Sequence, residues 1–436
     1  MSSTEPRNLA RKVKPKTNIV APRGMYDLLP DNIRQWHYVE TIARDLFARY
    51  GYSEIRTPLV EDTQLFARGI GESTDIVTKE MYTFNDRKGR SLTLRPEGTA
   101  SIVRAYVEHK LYAQQPLSKF YYAGPMFRYE RPQSGRNRQF YQIGAEAIGS
   151  ASPLVDFEVV DMVHSLFGQI GLRKHLLIVN NLGCMNDRPR FAEALRSYFS
   201  DKLPMLCPDC RERLEKNPLR ILDCKVENCK KLAAGGPVTQ DFLCDDCKRH
   251  DTVLRQLLSR AGIEHVFDPR LVRGLDYYTR TVFEIQHPAL GARNAICGGG
   301  RYDHLIEELG GPPTPATGFS LGMEATLLAM EKEHVQPMAE PAPHVFICSV
   351  DEKALFEAAV LAVNLRSSGL RVELDYEGRS LKAQMKLANK LRSRFAVILG
   401  EEELAKLSAR VRDMSTGEES VVSLEGLAAK LVEVAK

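Results

Sequence analysis

Between Phe127 and Phe140 the chain packs four arginines, Arg128, Arg131, Arg136 and Arg138, around a single acid, Glu130. Planar guanidinium forks match phosphate oxygens, so arginines at the root and tip of a loop make a polyphosphate clamp. Phe140 adds a ring face on which a base could stack. A solvated, charged hairpin would have the same composition, and the segment by itself does not separate the two. In Leu94–Ala100, Glu97 and Thr99 stand where a strand gives way to a helix. A carboxylate there either favours the positive helix end or meets a cationic ligand group, and both can hold together. Arg273, followed by Tyr277 and Tyr278, offers a fixed cation beside two hydroxyl-bearing rings. A preorganised cation lowers a barrier where negative charge develops. A strand-end salt bridge is the plain alternative. Finally, Gly298–Gly300 before Arg301 and Tyr302 lets backbone approach a ligand closely, although most glycine runs are turns.

Six of the nine cysteines fall between Cys207 and Cys247. Cys207 and Cys210, then Cys244 and Cys247, form two CxxC pairs, each able to grip one edge of a tetrahedral zinc ion. The pairs are separated by 33 residues, a long span. A structural zinc held by these four thiolates and a set of free thiols, with Cys224 an ordinary buried one, both remain open.

The elements that must position these groups are legible in outline. Ile33, Trp36, Val39, Ile42 and Leu46 recur at helical spacing behind Pro30 and Asp31, with Gly51 as terminator. Ser53–Val60 reads as a strand running through Pro58. Ser91–Arg95, Lys119–Tyr129 and Gln139–Ile148 read as strands, and the last two are joined by a polar turn without a crossover helix. That favours a mixed, mainly antiparallel sheet in an α+β domain. A helix is expected over Gly98–His109, and strands over Arg270–Tyr278 and Thr281–Gln286. Residues 187–262 look like an inserted, helical, cysteine-containing subdomain of a domain spanning 21–340. Gln336–Pro343, with three prolines, reads as a linker. Alternating strands and helices from His344 to Leu399 predict a C-terminal α/β domain over 343–436.

Composition is that of an ordinary globular protein, with 43% hydrophobic and 27% charged residues. A net charge of +4 does not diagnose a nucleic-acid partner. No apolar run approaches the ~18 residues of a membrane span. Residues 1–20 form a basic, flexible tail without the apolar stretch of a secretory signal. Clustered cysteines without such a signal suggest a reduced compartment, hence the cytoplasm.

The segment Phe127–Phe140, continuing into Gln139–Glu146, resembles motif 2 of the class II aminoacyl-tRNA synthetases in its histidine-specific form. Leu271–Glu284 and Ala295–Asp303 resemble the two signatures of the histidine–tRNA ligase family, and the likeness extends from Ala21 to the C terminus. The resemblance implies a class II fold with a C-terminal anticodon-binding domain, a homodimer built through the first helix and strand, and ATP with Mg2+, L-histidine and tRNA(His) as ligands. It implies that Arg128 holds the α-phosphate of ATP, with Glu130 and Arg136 near the nucleotide and Arg136 towards its outer phosphates. Glu97 and Thr99 would contact the histidine α-amino group, and Gln142 and Glu146 would line the amino-acid pocket. Tyr277, Tyr278 and Tyr302 would surround the imidazole. Arg273 would bridge the histidine carboxylate and the α-phosphate, and Gln133 would face the tRNA acceptor end. The activity implied is ATP-dependent ligation of histidine to tRNA(His) through an adenylate.

Two departures stand out. His304 takes the place of a usual glycine, for which a local loop adjustment is expected. In motif 3, Gly318–Ala325, the family's arginine is replaced by Ala325. That arginine covers the adenine ring and reaches the γ-phosphate. Losing a desolvated cation–π contact costs on the order of 0.5–2 kcal/mol, and a charge-assisted phosphate contact about 1.5–3 kcal/mol more. ATP use weakened roughly ten- to a thousandfold is the expectation. Two rival readings follow: a non-catalytic regulatory paralogue serving ATP phosphoribosyltransferase, and a histidine sensor that binds tRNA without making adenylate. The first typically lacks the anticodon domain and the histidine signatures, and this chain keeps both.

Overall fold

The computed structural model describes residues 19–72, 74–133, 135–336 and 342–435. Nearly all of the basic tail, and residues 337–341 of the linker, lie outside the described residues. The chain divides into two compact units, residues 1–337 and 338–436.

The first unit contains, in chain order, β1 (Ser53–Glu54), β2 (Val60–Asp62), β3 (Tyr82–Asn85), β4 (Ser91–Leu94), β5 (Ser118–Phe127), β6 (Gln139–Ile148), β7 (Leu176–Asn181), β8 (His265–Phe267), β9 (Thr279–Gln286), β10 (Ala295–Arg301) and β11 (Ala316–Gly322). Eight of these form one sheet in the order β1-β5-β6-β11-β10-β9-β7-β8, and β2-β4-β3 form a small antiparallel sheet. Only the outer pairs, β1 with β5 and β7 with β8, are parallel. The mainly antiparallel sheet expected from the polar turn between β5 and β6 is what forms.

Strand periodicity gives the large sheet two unlike faces. Ile143, Ala145, Phe283, Ile285, Phe319 and Leu321 point to one side and pack in the main core with the helices Pro30–Arg49, Pro153–Ile170 and Met323–Lys332. The helix Pro153–Ile170 shows why these residues form these elements. Ser152 caps it by accepting from the Leu154 amide at 3.3 Å, Pro153 starts it, and Gly171 at φ 101° ends it. It buries Val159, Val160, Val163, Leu166, Phe167 and Ile170. Each such side chain contributes roughly 1.5–3 kcal/mol, so Phe167→Ala would cost about 3–5 kcal/mol. The opposite sheet face is only partly covered, by the helix Thr99–Glu108 and a group of tyrosines, and the remainder is open.

Two sequence expectations change. The run Ser53–Val60 is not one strand: Ser53–Glu54 pairs with β5 and Val60–Asp62 with β4. Between them Arg95 holds the Thr57 carbonyl and hydroxyl, at 3.1 and 3.0 Å, and so anchors the crossing from one sheet to the other. Arg270–Tyr278 is not a strand either. Its carbonyls find side-chain donors in place of a sheet partner: Asn180 to Leu271, Arg220 to Gly274, and Arg188 to both Asp276 and Tyr278. Buried backbone groups must be paired, and here side chains from the surrounding body do it.

The inserted region is helical, with helices Asp187–Phe199, Pro208–Lys216, Glu227–Ala234 and Asp245–Arg260. The second unit contains β12 (Val345–Ser349), β13 (Val372–Leu374), β14 (Phe395–Leu399), β15 (Ser408–Asp413) and β16 (Glu419–Ser423), in the order β13-β12-β14-β15-β16. β12 pairs in parallel with both β13 and β14, as alternating strands and helices require, and an antiparallel β14-β15-β16 ribbon completes the sheet. No helix among the described residues is long and apolar enough to cross a membrane.

Candidate active site

The open face of the large sheet carries glycines and polar residues on its central strands β6, β11 and β10. Register places Gly144 and Gly298 on either side of Ser320, and Gly298 opposite Glu284. Two residues away, Gly318 lies between Glu146 and Gly300. Over this part of the sheet, beside Gly298, Ser320 and Gly322, lies a cavity of about 420 Å³.

Close approach requires Gly144, Gly298, Gly300 and Gly318, and at two of them the neighbour is a charged group. A Cβ at Gly298 would overlap the guanidinium of Arg273, and one at Gly318 would overlap the Glu146 carboxylate. The triple glycine therefore seats the cation and is more than a turn. Arg273 is held by Glu284 across this seat, and its Nε has no hydrogen-bond partner among the described residues.

Glu97, Arg128, Glu130, Arg136, Gln142, Arg273, Tyr277 and Tyr278 all line the one cavity. Glu97 accepts from the Thr99 and Ala100 amides at 2.7 and 2.8 Å, so it caps the helix Thr99–Glu108 while lining the cavity. Burial pushes its carboxyl up, offset by those amides. Arg128 donates to the Pro96 carbonyl at 2.9 Å and stacks over Phe140, its guanidinium 5.2 Å from the ring centre. Phe140 thus supports Arg128 from behind and does not itself line the cavity. Arg136 reaches Glu130 at 3.1 Å. The Gln142 Oε1 atom is buried without a partner among the described residues. A buried acceptor left open invites a ligand donor.

Behind this lining lies a second layer. Glu146 accepts from Thr99 Oγ1 at 2.6 Å and from the Tyr302 hydroxyl at 2.5 Å, and burial pushes its carboxyl up to about 8. The rings of Tyr277 and Tyr278 lie 4.7 Å apart, and Tyr302 packs edge-on to Tyr277 at 5.6 Å. Thr99, Glu146 and Tyr302 therefore reach the cavity through one another and do not line it directly. Gln133 lies apart, on an exposed bend where it exchanges backbone hydrogen bonds with Arg136, beside Tyr129, Glu130 and Arg131.

These signatures, now joined around one cavity, match known proteins along most of the chain. The histidyl-tRNA synthetase family model matches residues 24–188 and 217–326, and the anticodon binding domain model matches 344–434. The chain belongs to the histidyl-tRNA synthetase family. The histidine–tRNA ligase of Desulforamulus reducens is 51% identical over 406 residues, covering 93% of this chain and 97% of that relative. That of Geobacillus thermodenitrificans is 51% identical over 419 residues, covering 95% and 98%. Among solved structures, apo histidyl-tRNA synthetase of S. aureus aligns with a TM-score of 0.82 at 39% identity, covering 95% of this chain and 99% of that one.

Within this family frame, several lining residues carry no sequence expectation. Glu284 closes the signature that holds Arg273, and Arg220, Asp223 and Lys225 come from the inserted region. Arg220 donates to the Gly274 carbonyl at 2.7 Å, and Asn217 to Asp276 at 2.9 Å. The mixed run Asn217–Lys225, with Arg220, Asp223 and Lys225 set among apolar residues, was the available signal, but nothing local to it indicates that it folds back onto the sheet.

Arg301, inside the second signature, is fully buried and serves structure. It pairs with Asp156 at 2.8 Å and Asp303 at 3.0 Å, and donates to the Ser150 and Ser152 carbonyls. Burial would push Asp156 up, but Arg301 and His250 hold its carboxyl below the usual range. His304 sits at φ −112°, a conformation open to any residue, so no strain attends the missing glycine. Ala325, in the first turn of the helix Met323–Lys332, is partly buried, and the tip of the arginine loop rests over it. A Cβ at Gly135 would lie 3.5 Å from Leu328 Cδ2 and 3.8 Å from Ala325 Cα.

The expected grouping of Cys207, Cys210, Cys244 and Cys247 around one metal is not what forms. The two CxxC pairs join different clusters, Cys207 and Cys210 with Cys224 and Cys229, and Cys244 and Cys247 with Cys184 and Asp187. Each pair opens a different helix, and no group of neighbouring ligand atoms among the described residues contains both pairs.

Proposed function

We propose that the chain joins L-histidine to tRNA(His) in two steps at the sheet cavity. The observation that carries this reading is the convergence of two separated arginines, Arg128 and Arg273, on one cavity that also holds Glu97, Gln142 and a tyrosine cluster.

In the first step the histidine carboxylate attacks the α-phosphorus of ATP and pyrophosphate leaves. Charge accumulates on the α-phosphate oxygens, and Arg128 and Arg273 are cations already fixed beside them. Arg128 is oriented by Pro96 and Phe140, Arg273 by Glu284 and Gly298. Such positioning avoids reorganisation at the moment of reaction. Glu97 would hold the α-ammonium group with Thr99 behind it, Gln142 would meet the polar edge of the substrate with Glu146 behind it, and Tyr277 and Tyr278 would face the imidazole with Tyr302 packed behind them. Buried hydrogen-bonding groups of this kind reject apolar competitors strongly, because they would be left unpaired. Arg136 would meet the outer phosphates, exchanging Glu130 for them. Glu80 and Glu130 face this end, and Glu80 is pushed up by burial and by Glu130. That pairing suits a divalent cation entering with the nucleotide, and Mg2+ there would screen the outer phosphates.

In the second step the terminal ribose hydroxyl of the tRNA attacks the adenylate carbonyl and AMP leaves. Gln133, on the exposed bend, is suited to the acceptor end. The unit over 344–434 would read the anticodon loop, since structured RNA is recognised largely at unstacked bases. Exposed Leu29, Leu59 and Val60, around the first helix and strand, support a homodimer. Work in the cytoplasm accords with nine unpaired cysteines.

The test is histidine-dependent ATP–pyrophosphate exchange followed by charging of total tRNA with each amino acid. Exchange driven equally by another amino acid would overturn the assignment. Ala325 is the one observation favouring a regulatory or sensing reading. Binding of histidine with no adenylate formed would favour it.

A further inference from the structure

The inserted region gathers thiols in a way the cavity chemistry does not use. Cys207 begins the helix Pro208–Lys216 and Cys210 lies in its first turn, while Cys244 begins the helix Asp245–Arg260 with Cys247 in its first turn. The two pairs thus have the same local architecture, with thiols at the start of a helix. Each pair is completed by two ligand-type side chains from other segments, and the four ligand atoms of each cluster lie within 4.8 Å of one another.

The spacing suits a metal. Zinc–sulfur bonds of about 2.3 Å in a tetrahedron put neighbouring sulfurs about 3.8 Å apart. Cys207 and Cys224 sulfurs lie 3.8 Å apart, and those of Cys184 and Cys244 lie 4.0 Å apart. Disulfides would need about 2.05 Å. Backbone amides support the ligand atoms. The Cys207 amide points at Cys229 Sγ at 3.3 Å, and the Cys244 amide donates to Asp187 Oδ1 at 2.9 Å. Such outer contacts orient ligands around a metal. Cys210, Cys229 and Cys247 are fully buried, so the clusters are enclosed as structural sites are.

We propose that this chain carries two separate tetrahedral sites for a soft divalent ion of the zinc class. One is Cys207, Cys210, Cys224 and Cys229; the other is Cys184, Asp187, Cys244 and Cys247. Ligating thiols release their protons to solvent as the ion binds. The first site closes the small core of the inserted region on itself, joining two helices and the loop at Cys224. The second ties the helix Asp245–Arg260 to the chain just after β7. Cys184 and Asp187 there follow Gly183, whose carbonyl accepts the Arg280 amide, and precede Arg188, which holds the Asp276 and Tyr278 carbonyls. On the reading proposed above, the second ion would also steady the loop that presents Tyr277 and Tyr278. The family model leaves residues 189–216 unmatched, so Cys207 and Cys210 fall outside it.

The test counts metal and needs no activity. The full chain, purified without chelator, should carry about two zinc ions per chain by elemental analysis and by native mass spectrometry. Cobalt(II) exchanged into it should give a thiolate-to-metal charge-transfer band. Cys224→Ser with Cys229→Ser should remove one ion, and Cys244→Ser with Cys247→Ser the other. Cys224→His, which retains a ligand atom, should keep both and guards against loss through misfolding. One ion per chain, none, or a cobalt spectrum without the thiolate band would overturn the proposal.

Discussion

The guanidinium of Arg273 lies against the backbone of Gly298, in space that any side chain at that position would occupy. The two residues are remote in sequence, yet the seat of one is the missing side chain of the other. Gly298→Ala should displace Arg273 from Glu284 and from the cavity while leaving the sheet paired. Loss of one preorganised transition-state donor costs about 10²–10³ in rate. The kcat of histidine-dependent ATP–pyrophosphate exchange should fall by that order, with the thermal midpoint little changed.

Arg301 and Asp156 form an ion pair with both side chains fully buried. Breaking one partner leaves a buried charge, which costs about 3–5 kcal/mol. Arg301→Met should lower unfolding free energy by that amount in urea titrations, and adding Asp156→Asn should recover part of it. A single variant as stable as the parent would mean that water reaches the site.

Burial pushes the Glu146 carboxyl up to about 8 from an ordinary value of 4.5, so without ligand it is largely protonated at neutral pH. A raised folded-state pKa contributes stability that is complete below about 4.5 and lost as pH rises through about 8. Glu146→Gln should flatten the stability profile over that window. Histidine bound as a cation would favour the ionised carboxylate, so the parent should release protons on binding near neutral pH and Glu146→Gln should release fewer. Calorimetry in buffers of different ionisation enthalpy measures the difference.

Ala325 stands where the family resemblance implies an arginine, with the tip of the arginine-rich loop resting over it. Ala325→Arg should restore a cation beside the nucleotide and raise ATP–pyrophosphate exchange roughly ten- to a thousandfold, following about 1.4 kcal/mol per tenfold. The Michaelis constant for ATP should fall with it. An unchanged rate would show that another cation already serves.

The sequence by itself determined the chemistry and the broad architecture. Arg128, Glu130 and Arg136 lie on one strand–turn–strand, and Glu97 and Thr99 on one strand-to-helix junction, so their relations are set within a few residues. Period-two patterning and the short polar turn likewise made the antiparallel β5–β6 pair legible. Tertiary structure alone decided what depends on distant partners. It turned Arg270–Tyr278 from an expected strand into a loop held by Arg188, Arg220 and Asn180. It brought Asn217–Lys225 onto the cavity, and it divided the cysteines between two clusters, one completed by Cys184 and Asp187 at the entry to the inserted region. Local spacing reports only which side chains share a turn or a strand face. Which turn meets which is settled by packing and by the pairing of every buried polar group across the whole domain.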